Sequence, residues 1–149
     1  GRLQLEITES GLMNDLRTAR EILTELRSMG MSIAIDDFGT GYSSLSYLDM
    51  LPLNKVKIDR SFVRDLTKDP KKLKLLRGVV NLARELGLEV VVEGVETEDQ
   101  LVMISDNNCA DIIQGYIFGT PMPHGSFIEL ANKLSRNPRK LTVVGQSSH

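Results

Sequence analysis

Short runs of alternating apolar and polar residues take turns with longer runs of helical period along this chain. Alternation at about Leu3 to Thr8 and Lys55 to Asp59, and short apolar runs at about Ser32 to Asp36, Glu89 to Val92 and Asp111 to Gln114, predict strands. Between the first two, Leu16, Ala19, Ile22, Leu23, Leu26 and Met29 keep the spacing of one helix face over about Asn14 to Met29. Asn14 offers a cap at its start, and Gly30 sits where a left-handed stop belongs. A short helix is predicted near Ser44 to Met50, ended by Pro52. The next spans about Pro70 to Leu86, with Asp69 as cap, Pro70 at the first helical position and Gly87 as stop. Thr97 and Gln100 have capping-box spacing for a further helix, and a last helix is expected near Ser126 to Leu134.

Repeated strand–helix units imply an α/β fold with a parallel sheet, either open or closed as a barrel. Side-chain parity chooses between the two, because successive strand residues point to opposite faces. One parity is wholly aliphatic: Leu3, Leu5, Ile7, Ile33, Ile35, Val56, Ile58, Val90 and Val92. The other carries Gln4, Glu6, Asp36, Lys55, Lys57, Asp59, Glu89 and Glu93. A doubly wound sheet buries both faces in aliphatics and would not tolerate that second set. A barrel lumen with a polar mouth would. The pattern therefore predicts a TIM-like (β/α)8 barrel, here a partial barrel of about five parallel strands. A complete one has eight strands in roughly 250 residues, so three more strand–helix units are expected upstream. Residues 1–136 read as the C-terminal part of one domain, and 137–149 as a polar, mobile tail.

Bulk composition changes this picture little. The chain has 149 residues, 41% hydrophobic and 26% charged, which is ordinary for a globular domain with a real core. A net charge of −2 advertises no basic face for a nucleic-acid polymer. The single cysteine, Cys109, cannot form an internal disulfide and reads as a small buried apolar residue in a reducing compartment. No apolar run approaches the roughly 20 residues of a membrane span.

The candidate chemistry lies at the strand ends. An acidic residue closes nearly every strand, always at the same end: Glu6, Asp36 with Asp37, Asp59 and Glu93. In parallel strands these gather at one rim, where like charges are unfavourable unless a cation neutralises them. Asp36-Asp37, ahead of a Gly39-Thr40-Gly41 turn, suits a pair of hard cations sharing a carboxylate, though a turn or helix-cap aspartate is the plainer reading. Asp37 has the wrong parity for the lumen and must lie past the strand end to reach it. Lys57 shares the lumen parity and could orient water or stabilise a phosphorane-like transition state, or form a structural ion pair. Lys55 is expected to pair with Glu89. Glu93 could be a metal ligand or a general base. Glu9 could anchor the loop after Asp37 or satisfy a helix dipole. Gln114 can hydrogen-bond a phosphate or a base edge, and Tyr116 can stack on a base or sit in the core. Glu96 is a further rim acid or a helix-approach carboxylate.

Five ordered stretches resemble the EAL family of cyclic di-GMP phosphodiesterases: Leu5 to Ser10, Asp36 to Leu45, Lys57 to Val63, Val90 to Thr97, and Gln114 to Pro123. The resemblance covers the last three-fifths of the family's domain. It implies a two-metal site for Mg²⁺ or Mn²⁺ that opens one phosphodiester of cyclic di-GMP to give linear pGpG. Glu6, Asp36, Asp37 and Glu93 would be the metal ligands, with Glu93 and Lys57 catalytic. Gln114, Asp59, Glu96 and Tyr116 would meet substrate, and Glu9 would hold the loop. The Glu-Ala-Leu signature and the asparagine-bearing strand after it, each supplying a metal ligand, are not in this stretch. The expectation is thus a phosphodiesterase in the full-length protein and no activity from these 149 residues alone; the alternative is a receptor module that binds cyclic di-GMP without cutting it. A homodimer, an upstream sensory or GGDEF-type domain and a cytoplasmic location complete that expectation.

Overall fold

The computed structural model describes residues 3–8, 11, 15–40 and 46–136. The expectations for Glu9, Asn14, Gly41, the start of the short helix at Ser44 and the tail at 137–149 lie outside these residues. The elements run β1 (Gln4–Thr8), α1 (Leu16–Ser28), β2 (Ser32–Phe38), α2 (Ser46–Met50), β3 (Lys55–Ile58), a 3-10 turn (Arg60–Phe62), α3 (Pro70–Glu85), β4 (Glu89–Val92), α4 (Glu98–Asp106), β5 (Ile112–Ile113) and α5 (His124–Arg136). All four strand pairings are parallel, and the sheet order is β1-β2-β3-β4-β5. Each strand lies beside its predecessor, as in a barrel wall. A doubly wound sheet would reverse its order part-way. The described residues thus form a partial barrel of five parallel strands.

Local chemistry sets the helix starts. Asp69 accepts the Lys71 N–H at 2.9 Å and Pro70 opens α3. Thr97 and Gln100 form a reciprocal capping box at α4. Asp15 caps α1, accepting the Thr18 N–H at 3.0 Å.

The aliphatic parity packs against the helices. Ile33, Ile35, Val56, Ile58, Val90 and Val92 are fully buried there. They meet Leu23 of α1, Leu76, Val80 and Ala83 of α3, and Ile104 of α4. Each such aliphatic contributes about 1.5–3 kcal/mol by leaving water. Cys109 is buried in the same cluster, where desolvation pushes its thiol up from the ordinary range. On the opposite, lumen face, Lys55 pairs with Glu89 at 2.6 Å, joining β3 and β4 at their N-terminal ends.

The strand β2 runs two residues further than alternation predicts, to Phe38. Its register against β3 shifts on the way: Ile35 faces Val56, but Phe38 faces Ile58. Two residues, Asp36 and Asp37, therefore oppose the single Lys57, which is a β-bulge. Asp37 takes φ 54° at this point. The bulge overcomes the parity problem, since the extra residue re-aims Asp37 toward the side that Asp36 already faces. Asp37 reaches the rim from within the strand and not from beyond its end.

Candidate active site

The lumen end of the sheet is organised around one ammonium group. Lys57 is the buried charged side chain among the described residues, only 7% exposed. Its Nζ lies 2.8 Å from Glu6 Oε2, 3.0 Å from Asp36 Oδ1 and 2.9 Å from Glu93 Oε1. Three strands, β1, β2 and the end of β4, thus send carboxylates to the lysine of β3. Burial alone would lower the proton affinity of Lys57. The hydrogen bonds that Lys57 donates to Glu6, Glu93 and Asp36 outweigh it, so the lysine is held well above its usual range. Glu93 is pushed up from the ordinary carboxylate range, first by burial and then by the charges of Asp36 and Glu6, against the pull of Lys57.

A tighter trio overlaps this cluster. One oxygen each from Asp36, Asp37 and Glu93 lie within 4.8 Å of one another. Hard carboxylate oxygens at this spacing fit Mg²⁺ or Mn²⁺ and suit soft metals poorly. Glu6 joins through Lys57, not through the trio, and its second oxygen accepts from Gln4 Nε2 at 2.9 Å.

The other expected contacts spread outward. Asp59 accepts the Ser61 N–H at 2.9 Å and caps the 3-10 turn. Burial works against its ionisation, but the Ser61 and Arg60 hydrogen bonds and the Arg60 charge hold it below the usual range. Glu96 is exposed at the approach to α4, where its N–H donates to Gln100 Oε1. Gln114 and Tyr116 border a cleft of about 900 Å³ along β5 and α5, shared with Leu101, Phe118 and Phe127. That cleft is apolar and none of the trio carboxylates lines it. Gln114 is nonetheless tied to the acidic loop, because its carbonyl accepts the Val95 N–H at 3.2 Å.

Sequence reasoning did not single out a clamp on α3. Arg84 donates to Asp111 Oδ1 at 2.7 Å and to the Asn108 carbonyl at 2.8 Å, while Asp111 Oδ2 accepts the Val90 N–H at 2.7 Å. It ties β5 to β4 from outside the barrel.

The family model for the EAL domain matches residues 1–121. The chain belongs to the EAL domain family. The cyclic di-GMP phosphodiesterase NbdA of Pseudomonas aeruginosa is 45% identical over 121 residues, covering 81% of this chain and 15% of that protein. The crystal structure of the EAL domain of Mycobacterium smegmatis DcpA superposes with a TM-score of 0.82 at 44% identity, covering 89% of this chain and 59% of that one. A manganese/cyclic di-GMP complex of Klebsiella pneumoniae BlrP1 gives 0.70 at 37% identity, over 79% of this chain and 30% of that one. The EAL fold is therefore the TIM-like barrel that parity predicted. The chain spans 16% and 15% of the length of the first curated relatives it matches. Among the described residues, no helix is long and apolar enough to cross a membrane.

Proposed function

We propose that the full-length protein is a metal-dependent phosphodiesterase that hydrolyses cyclic di-GMP to linear pGpG. The observation that carries this reading is the convergence of Glu6, Asp36 and Glu93 on Lys57, with Asp37 beside them, at one end of an EAL-type sheet. Asp36, Asp37 and Glu93 hold Mg²⁺ or Mn²⁺, and Glu6 completes the acidic rim. Cations held there would supply positive charge to the phosphodiester and make water a better nucleophile near neutral pH.

The chain's own groups do the rest. Lys57 fixes the orientation of three carboxylates and carries the permanent positive charge nearest them, so it steadies charge developing on the phosphoryl oxygens. The raised proton affinity of Glu93 suits a group that takes a proton from attacking water. Gln114 and Tyr116 meet the nucleotide at the rim, with Glu96 and Asp59 flanking it. The reading carries with it a homodimer, a cytoplasmic location and control by a sensory or GGDEF-type domain.

The test is chromatographic. Full-length protein with Mn²⁺ should convert cyclic di-GMP to pGpG, and chelation should stop it. Tight binding of cyclic di-GMP with no pGpG under any metal would make the protein a receptor. Neither binding nor cleavage would remove the substrate assignment.

A further inference from the structure

The 3-10 turn Arg60–Phe62 leaves β3 between the two loops that carry the trio. The strand hydrogen bonds end on either side of it: Asp59 N–H donates to the Phe38 carbonyl at 3.3 Å, and Ile58 accepts from Glu93 N–H at 3.0 Å. The turn is stiff from within. Asp59 caps it, Phe62 N–H returns to the Asp59 carbonyl at 3.1 Å, and Arg64 N–H to the Arg60 carbonyl at 2.8 Å. Val63 and Leu66, both essentially unexposed, root it in the core. Lys72 of α3 clasps it from outside, donating to the Ser61 carbonyl at 3.2 Å.

The turn touches a glycine on each flank. The Phe62 ring occupies the space that a Cβ on Gly39 would need. The Cβ and Cα of Arg60 occupy the corresponding space at Gly94. Gly39 is two residues past Asp37 and has φ 96°; Gly94 follows Glu93 and has φ 70°. Both glycines bring backbone into direct contact with the turn, in a conformation that other residues adopt at a cost. The Asp36–Asp37 bulge and Glu93 are thus set apart by one rigid wedge.

We propose that this turn is the spacer that fixes the gap between the Asp36–Asp37 bulge and Glu93, with Phe62 and the Arg60 backbone and Cβ as positioning residues of the cation site. The inference rests on the reading of those three carboxylates as cation ligands. Neither residue touches the cation. Each acts through a glycine one or two residues from a ligand, so a change should appear in metal affinity and not only in folding. Outer partners of metal ligands typically cost 10- to 100-fold in affinity when lost.

The experiment is a Mn²⁺ titration of full-length protein, followed by the free-ion electron paramagnetic resonance signal, beside thermal unfolding in chelator. Phe62→Ala should weaken Mn²⁺ binding about tenfold at a temperature where the chelated protein is still folded. Phe62→Leu, which keeps most of the bulk, should recover most of that loss. Arg60→Ala, which keeps the Cβ that meets Gly94, should bind as the parent does, while Arg60→Gly should weaken. If Phe62→Ala does not fold, the Arg60 pair decides. A folded Phe62→Ala or Arg60→Gly with parental affinity overturns the spacer while leaving the ligand assignment intact. A parent protein that binds no Mn²⁺ overturns the ligand assignment, and the spacer with it.

Discussion

Replacing Lys57 with methionine keeps most of the side-chain volume and removes the charge at the centre of the site. The ammonium lies 2.8, 2.9 and 3.0 Å from three carboxylate oxygens, so no two of those oxygens are more than 5.9 Å apart. At an effective dielectric near 20, unit charges about 5 Å apart repel by roughly 3 kcal/mol. Asp36 and Glu93 are 24% and 18% exposed and feel most of this, whereas Glu6, at 42%, is partly screened by water. A loss of about 3–5 kcal/mol in unfolding free energy follows near neutral pH, the range for removing one partner of a buried ion pair. The pH dependence has a definite sign. In the parent, a lysine held above its ordinary range contributes stability that is fully present below its unfolded value near 10.5 and is lost only as pH rises through the higher folded value. The parent lysine therefore contributes the same at neutral and at mildly acid pH. In the variant the uncompensated cluster takes up a proton as pH falls, Glu93 first, since its folded value is already raised. The deficit should therefore be smaller at mildly acid pH than near neutrality. Saturating Mn²⁺ should also shrink it, because a second cation then faces the same acids. Denaturant unfolding at both pH values, with chelator and with Mn²⁺, measures all three effects. A deficit below about 1 kcal/mol, or one equal at both pH values, would refute the electrostatic account.

Three further outcomes follow from the same geometry. Asp36→Asn in the full-length protein should abolish cyclic di-GMP turnover at every Mg²⁺ concentration, and parental rates would remove Asp36 from the site. Gly115→Ala would drive a Cβ into the Val95 backbone, so it should break the Val95–Gln114 hydrogen bond and cost at least about 1–3 kcal/mol in thermal or denaturant unfolding. Parental stability would show that the two loops are not in contact. Asp111→Ala strips partners from Arg84 and from the Val90 N–H, and should cost about 1–3 kcal/mol with little effect on Mn²⁺ affinity. A large change in affinity would place that clamp in the site.

The sheet was legible in the sequence because period-2 alternation survives where one face must meet helices and the other is polar, as in Gln4–Ile7 and Lys55–Ile58. Caps were legible where a side chain serves its own helix, as at Asp69 and Thr97. The Lys55–Glu89 pair followed from depth and parity alone. The bulge was not legible: alternation assumes one residue opposite one, and Asp36-Asp37 against Lys57 breaks that count. Nor was the Arg60–Phe62 turn, which is too short for any period to register. β5 came out as only Ile112–Ile113, since among the described residues it pairs with β4 alone. The last helix begins at His124, two residues before the expected Ser126, with no side-chain cap to mark it in the sequence. The Arg84 clamp joins residues 24 and 27 apart, beyond the reach of local pattern. At the site, the acids were visible as a rim, but their common dependence on Lys57 emerged only from the fold.

The most direct measurement is the anomalous diffraction of crystals of the full-length protein grown with Mn²⁺. The account predicts a manganese peak about 2.0–2.3 Å from carboxylate oxygens of Asp36, Asp37 and Glu93. No peak at these side chains, with manganese bound elsewhere in the same crystals, would contradict it.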